Sequence, residues 1–327
     1  MKKRISVYIA IFWLFAVSLG GVLLFRKQKI ETYEQTTILQ LWQIDSVEGG
    51  KGSRRQYLEK IARIYEKTNA NVLITVINQT VIGAEENFKK GVYPDMISFS
   101  QGLNGVFPFV KELNVPCDLA FGGKVNGILY AYPWAYGGYV YITREGQNTV
   151  SKTYLSKGDY NLPLAAAFLA GYDLKDYEEL PPSDAYYAFL NDHSSALIGT
   201  QRDLYRLQNK NLPLKVEPIG EYTDIVQYIS VIKGDIKREA SSVNFLKVLA
   251  KNNEKVPDTI GMLSNVVDIK NADNRPIDRL LGVKYRFVPS CFSSLQTINE
   301  LNDKLNDENL KSDNKMKFLK STIIYLK

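Results

Sequence analysis

The chain has 327 residues, more than one hydrophobic core commonly holds, so two domains or lobes are expected. Hydrophobic residues make up 45% and charged residues 23%, a globular composition that argues against wholesale disorder. The net charge of +6 resides in Lys2, Lys3, Arg4, Arg26, Lys27 and Lys29; the other 35 basic residues face 35 acidic ones, which removes the footprint of a nucleic-acid binder.

The N-terminus reads MKKR, then 21 uncharged residues from Ile5 to Phe25, then RKQK. That run is long enough for a membrane-crossing helix of roughly 20 residues, whereas a signal peptide has a shorter apolar region of ~7–15. An uncleaved anchor over residues 1–27 is expected, with the body on the extracytoplasmic face of the cell membrane. The alternative is a cleaved, secreted form, with Ala16-Val17-Ser18 or Ser18-Leu19-Gly20 as the cleavage site. No cysteine lies near Gly20, so a lipid anchor is excluded. Cys117 and Cys291 are the only cysteines, open to either one disulfide or two unpaired thiols.

After a polar stalk at residues 28–36, Thr37–Ile44 reads as a buried strand. Ser53 and Gln56 form a capping-box pattern, and Tyr57, Leu58, Ile61, Ile64 and Tyr65 carry helical spacing to about Lys67. Asn71 to Ile77 is a second strand, Gly83 to Lys90 a helix, and Tyr93 to Phe99 a third strand. This alternation predicts a mainly parallel sheet flanked by helices, with ligands beyond the carboxyl ends of its strands. The loop EGGKGS at residues 48–53 falls at that edge.

Twenty-one tyrosines outnumber fourteen phenylalanines, a bias toward rings with a polar tip. In residues 123–146, Tyr130, Tyr132, Trp134 and Tyr136 recur every second residue, which aligns them on one face of an extended chain. Pro133 and Gly137-Gly138 then predict a bend or crossing, and Tyr139 and Tyr141 resume in the opposite phase. Residues 194–209 read as a strand turning at Gly199-Thr200 into a helix, whose free amides can meet a ligand oxygen. A strand at residues 224–232, helices from about Lys237 to Lys251 and Leu295 to Leu305, and an amphipathic tail complete the chain.

Catalytic and nucleotide patterns fail on spacing. A phosphate loop needs GxxxxGK followed by Ser or Thr, but Gly50-Lys51 is followed by Gly52, and the GxGxxG pattern is also absent. His193, the single histidine, sits in the polar turn NDHSS, and it joins two distant cysteines in giving no zinc-ligand spacing. Asp45 and Glu48 are the carboxylates available for acid–base chemistry on a glycoside, but three residues apart they do not straddle a substrate. No cofactor, metal or catalytic group is expected.

Four segments together resemble extracellular solute-binding proteins of bacterial ABC importers, the carbohydrate-type group that includes maltose-binding protein. They are LWQIDSVEGGKGSRRQYLEKIARIYEK, GVYPDMISFS, GILYAYPWAYGGYVYIT, and QYISVIKGDIKREASSVNFLKVLAKNNEKV with GMLSNVVDI. The resemblance implies an α/β, type II periplasmic-binding-protein-like fold: two lobes, each a mainly parallel sheet flanked by helices, joined at a hinge. Lobe 1 takes residues 37–133 plus 228–268, and a reduced lobe 2 takes 134–227 plus 269–327. It implies a monomer that captures a sugar or oligosaccharide for ABC permease subunits. A membrane-tethered sensor partnering a histidine kinase is the second reading, and a surface carbohydrate-active enzyme the third. Trp134 and Tyr136 are the expected aromatic platforms, with Trp42 behind them. Asp45 and Glu48 accept from hydroxyls, Gly49 and Gly50 admit the ligand to the backbone, and Gln101, Thr200 and Gln201 face it from opposite walls. Arg54 is a weaker candidate, as an ion-pair residue.

Overall fold

The apolar run at residues 37–44 forms strand β1 (Thr37–Ile44), as its sequence predicts. Successive side chains leave a strand on opposite faces. Leu39 and Leu41 therefore enter a core with Tyr57, Leu58, Phe245 and Leu249, while Trp42 and Ile44 enter another with Ala84 and Phe88. The structure, a computed structural model, describes Trp13 and residues 36–117, 121–264, 275–307 and 309–324. Apart from Trp13 and Thr36, the expected anchor and stalk lie outside the described residues. Among the described residues no helix is long and apolar enough to cross a membrane.

Helix α1 (Arg54–Thr68) begins where the Ser53 hydroxyl accepts from the Gln56 amide at 3.3 Å. Strand β2 (Val72–Gln79), helix α2 (Val81–Lys89) and strand β3 (Met96–Phe99) follow. The Thr80 hydroxyl, accepting from Gly83 N at 3.0 Å, starts α2 ahead of the expected Gly83. Tyr93, read from sequence as strand, lies outside the ladder, which begins at Met96; its ring packs on Phe88 and Phe109.

The next strands are β4 (Lys124–Val125), β5 (Ile128–Leu129), β6 (Tyr132–Tyr136), β7 (Tyr139–Arg144) and β8 (Thr153–Ser156). Helix α3 (Pro163–Leu169), strand β9 (Tyr177–Leu180), helix α4 (Pro182–Asn191), strand β10 (Ala196–Thr200) and helix α5 (Gln201–Leu207) come next. The chain continues through β11 (Leu214–Ile219), β12 (Glu221–Tyr222) and β13 (Val226–Val231), then α6 (Ile236–Lys251) and α7 (Val256–Ile260). It closes with β14 (Tyr285–Phe287), α8 (Leu295–Asn306) and α9 (Ser312–Ile324).

Two five-stranded sheets organise these elements, in the orders β2-β1-β3-β13-β6 and β11-β7-β10-β8-β9. In the first, β2 and β3 run parallel to β1, while the returning β13 lies antiparallel to β3 and β6. In the second, β10, β8 and β9 are parallel, and β7 is antiparallel to both β10 and β11. Helices cover both faces: Val140 and Ile142 of β7 meet Phe189 of α4 and Leu204 of α5, whereas Tyr139 enters the core shared with α3.

The chain passes from the first sheet to the second at Gly137-Gly138, within the stretch that the sequence marks as a bend or crossing. It returns through residues 223–225. The passages are bonded side by side: Gly137 N donates to Ile225 O at 2.7 Å, and the Thr223 hydroxyl to Gly137 O at 2.9 Å. A Cβ on Gly137 would lie 2.2 Å from Gln201 Oε1 and one on Gly138 2.1 Å from the Tyr285 hydroxyl, so a side chain at either position would displace a neighbour. Asp224 anchors the crossing, accepting from Tyr139 OH at 2.6 Å, Tyr222 OH at 2.9 Å and Leu162 N at 2.6 Å. Burial pushes its carboxyl pKa up, and these three donors hold it back.

Candidate ligand site between the two sheets

The carboxyl ends of β1 and β3 in the first sheet meet those of β8 and β10 in the second. The glycine loop after β1 lies at one side of this junction and is already engaged by the protein. Gly50 N and Lys51 N donate to Ile260 O at 3.2 and 3.0 Å, so these amides are not aimed at a ligand. A Cβ on Gly50 would fall 1.9 Å from Gly261 O, whereas one on Gly49 meets nothing closer than 3.9 Å. Gly50 therefore serves backbone packing, a correction to its expected role beside a ligand. Asp45, about half exposed, pairs through Oδ1 with Arg54 Nε at 2.6 Å. Arg54 is buried and also donates to Gln227 Oε1 at 2.9 Å and Val47 O at 2.5 Å, so it holds the loop and presents no ligand group.

The two tryptophans named from sequence are core residues. Trp134 has no exposed surface; its ring stacks on Tyr57 at 5.5 Å and its indole N–H donates to Ser98 Oγ at 3.1 Å. Trp42 is buried edge-on against Phe88. The alternating aromatics do not share one face: Tyr132 and Trp134 enter the core with Tyr57 of α1, whereas Tyr130 and, beyond a register shift in the β6–β13 pairing, Tyr136 pack against the core of Trp42 and Phe88. Tyr136 is half-buried beside Tyr285, and burial pushes its hydroxyl pKa up to about 12.

Glu48, Thr200 and Gln201 do come together, although the contacts are direct. Thr200 Oγ1 donates to Glu48 Oε2 at 3.3 Å, and Gln201 Nε2 donates to Glu48 O at 2.9 Å. Thr200 also caps α5 in a reciprocal capping box with Asp203, which uses the amides expected to meet a ligand. Arg206 and Arg202 reach Glu48 Oε1 at 3.1 and 3.4 Å, partners that the sequence reading missed. Burial raises the Glu48 carboxyl pKa and Asp203 adds to the rise, against the opposing pull of Arg206 and Arg202.

At the other side of the junction, Gln101 Nε2 donates to Tyr160 O, and a Cβ on Gly102 would lie 2.3 Å from the Tyr160 ring. Among the buried oxygens with no hydrogen-bond partner are Ser46 Oγ, Ser100 Oγ, Gln101 Oε1, Ser156 Oγ and Ser293 Oγ. Ser46 and Ser100 follow neighbouring parallel strands, and Ser156 ends β8. Ser293 is adjacent because its carbonyl accepts from Gly102 N at 3.0 Å. Buried polar groups are ordinarily satisfied, by protein or by ordered water. Only Gln101 of these five was foreseen; nothing in a serine's local sequence reveals whether its hydroxyl is paired.

Among the described residues no group of three or more His, Cys, Asp or Glu side chains is placed to hold a metal ion. His193 is exposed in its turn, and Cys117 and Cys291 are not bridged.

The two helix-flanked sheets, with a double crossing between them, define a two-lobed α/β architecture of the periplasmic-binding-protein type. Solved structures with this fold include the substrate-binding protein Lmo0181 from Listeria monocytogenes in complex with cycloalternan. It is 14% identical, with a TM-score of 0.56, over 89% of this chain and 98% of that one. The sugar-binding protein MalE from Xanthomonas citri gives a TM-score of 0.61 at 11% identity, over 89% of this chain and 97% of that one. Iron-bound HitA from Pseudomonas aeruginosa gives 0.55 at 10% identity, over 83% and 99%. At these identities the likeness is one of fold. No family model and no curated protein matches the sequence.

Proposed function

We propose that the protein is the extracytoplasmic solute-binding component of an ABC transporter. It captures a sugar or oligosaccharide between its lobes, performs no chemistry on it, and delivers it as a monomer to membrane permease subunits. The observation that carries this reading is that Ser46, Ser100 and Ser156, at or just beyond the carboxyl ends of β1, β3 and β8, and Gln101 and Ser293 each hold a buried oxygen with no partner. On the Glu48 side the charges are paired: Asp45 with Arg54, Glu48 with Arg202 and Arg206, and Asp203 with Arg206. Unpaired hydroxyls and an amide oxygen suit a neutral polyol better than an ion.

Because a bound iron and bound sugars both occur on this fold, the ligand class rests on these atoms. Neighbours solved with cycloalternan, maltotriose and maltose support it. Division into lobe 1 (37–133 plus 228–268) and lobe 2 (134–227 plus 269–327) is supported by the sheet changes near those points, and hinge closure about the crossings would enclose the solute. The apolar run within residues 1–27 supports a tether to the cell membrane, or secretion if it is cut.

The test is thermal unfolding of the full chain in detergent with a panel of neutral oligosaccharides, and with amino acids and ferric ion as comparators. Ligand at 100 times its Kd stabilises the folded form by ~2.7 kcal/mol. A rise in Tm with at least one neutral saccharide is expected. A rise confined to ferric ion or to amino acids would overturn the ligand class.

A further inference from the structure

We propose that Glu48 and helix α5 form a clasp that holds the two lobes together through the protein's own bonds, so that closure is set partly by the chain itself and not by solute alone. The inference rests on the two-lobed fold and the contacts below, independently of which solute is bound.

The clasp has two attachments from one residue. The Glu48 side chain receives Thr200 Oγ1 at 3.3 Å, Arg206 Nη2 at 3.1 Å and Arg202 Nε at 3.4 Å, while its backbone carbonyl receives Gln201 Nε2 at 2.9 Å. Glu48 belongs to the loop that leaves the first sheet, and all four partners belong to the turn and helix that leave the second. Beside them, Lys51 Nζ lies 5.6 Å over the Tyr205 ring, a second contact across the same boundary.

Both jaws are held before they meet. The loop is fixed by the Gly50 and Lys51 amides on Ile260 O and by Arg54 on Val47 O. On the opposing side, Asp203 accepts from Thr200 N at 2.9 Å and from Arg206 Nη1 at 2.9 Å, and Arg206 Nη1 also donates to Pro182 O at 3.3 Å. Groups already ordered lose little freedom on contact, so their bonds favour closure more than those of mobile surface side chains. The contact remains separable. Glu48 and Arg206 keep 22% and 21% of their side-chain exposure and Arg202 keeps 44%, so water can replace the two ion pairs when the lobes part.

The experiment uses the full chain in lipid nanodiscs without added solute. Nitroxide labels on Ile82→Cys and Tyr187→Cys, both exposed and on helices of opposite lobes, report the interlobe distance by pulsed electron resonance. The parent should show a dominant short-distance population. Glu48→Ala, which leaves the backbone attachment in place, should lower the short-to-long ratio by about fivefold, the worth of one net hydrogen bond. Glu48→Gln, which keeps an acceptor oxygen, should restore it. An unchanged ratio in Glu48→Ala, or a parent already dominated by the long distance, would overturn the clasp. If Glu48→Ala fails to fold, Arg202→Ala is the second variant: a smaller shift in the same direction supports the clasp, and none counts against it.

Discussion

Two loops leave neighbouring parallel strands of the first sheet and meet different fates. The loop after β1 advertises itself with EGGKGS, yet its amides are bonded to Ile260 O and its acids are paired with Arg54, Arg202 and Arg206. The segment after β3 is plain in sequence, SQG, yet it holds two buried oxygens with no partner, Ser100 Oγ and Gln101 Oε1. Glycine richness signals that backbone must approach something closely; here that something is Gly261. A ligand site is better identified by what remains unsatisfied than by what looks adaptable.

The sharpest way to break this contrast is Trp134→Ala. As a fully buried ring stacked on Tyr57, its loss should cost about 3–5 kcal/mol in urea-induced unfolding without solute. Unchanged stability with lost sugar affinity would instead make it a platform. Next in size are the paired glycines. Gly50→Ala should destabilise by roughly 1–3 kcal/mol because its Cβ meets the Gly261 carbonyl, while Gly49→Ala stays within about 0.5 kcal/mol. Equal effects at the two positions would show that the loop is not docked in this way.

Ser100→Ala carries the other side of the comparison. Its hydroxyl has no partner, so chemical unfolding should change little, while saccharide affinity measured by calorimetry falls about fivefold. The smallest expected effect is that of pH on the clasp. Glu48 faces Arg202, Asp203 and Arg206 on α5 and Arg54 with its partner Asp45 near the loop; Asp258, on α7 against which the loop docks, is paired with Arg275. Its pKa in the clasp is raised above the usual 4.5, by burial first, so the protonated form is relatively favoured there. Closure should gain as pH falls from neutral toward 4.5, and lose that gain as pH rises through the raised value. Glu48→Gln should flatten this part of the interlobe distance profile.

Much of the fold was legible where patterns were long and strongly apolar. β1 spans the residues expected, Ser53 begins α1, and residues 194–209 turn from strand to helix at Thr200. Residues 150–193 were not resolved into elements. β8 and β9 there are four-residue strands, and YEEL has the polar character of a sheet edge. The candidate site was legible only in part. Glu48, Thr200 and Gln201 converge as opposite walls should, but on one another. Trp134 was read as one of the alternating aromatics and Trp42 as a weaker platform; the first is buried against Tyr57 of α1 and the second against Phe88 of α2.

From the sequence alone followed the α/β alternation, the helix starts at Ser53 and Thr200, the crossing marked by Gly137-Gly138, and the neutral charge of the body. These depend on periodicity, backbone freedom and counting, all local or additive. Only the tertiary structure decided that Trp134 faces α1, that Gly50 answers to Gly261, and that Glu48 meets Arg206 across the lobes. It likewise left the Ser100 and Ser156 hydroxyls without partners. Pairing, burial and vacancy of a polar atom are properties of two distant segments at once, and no window of sequence contains both.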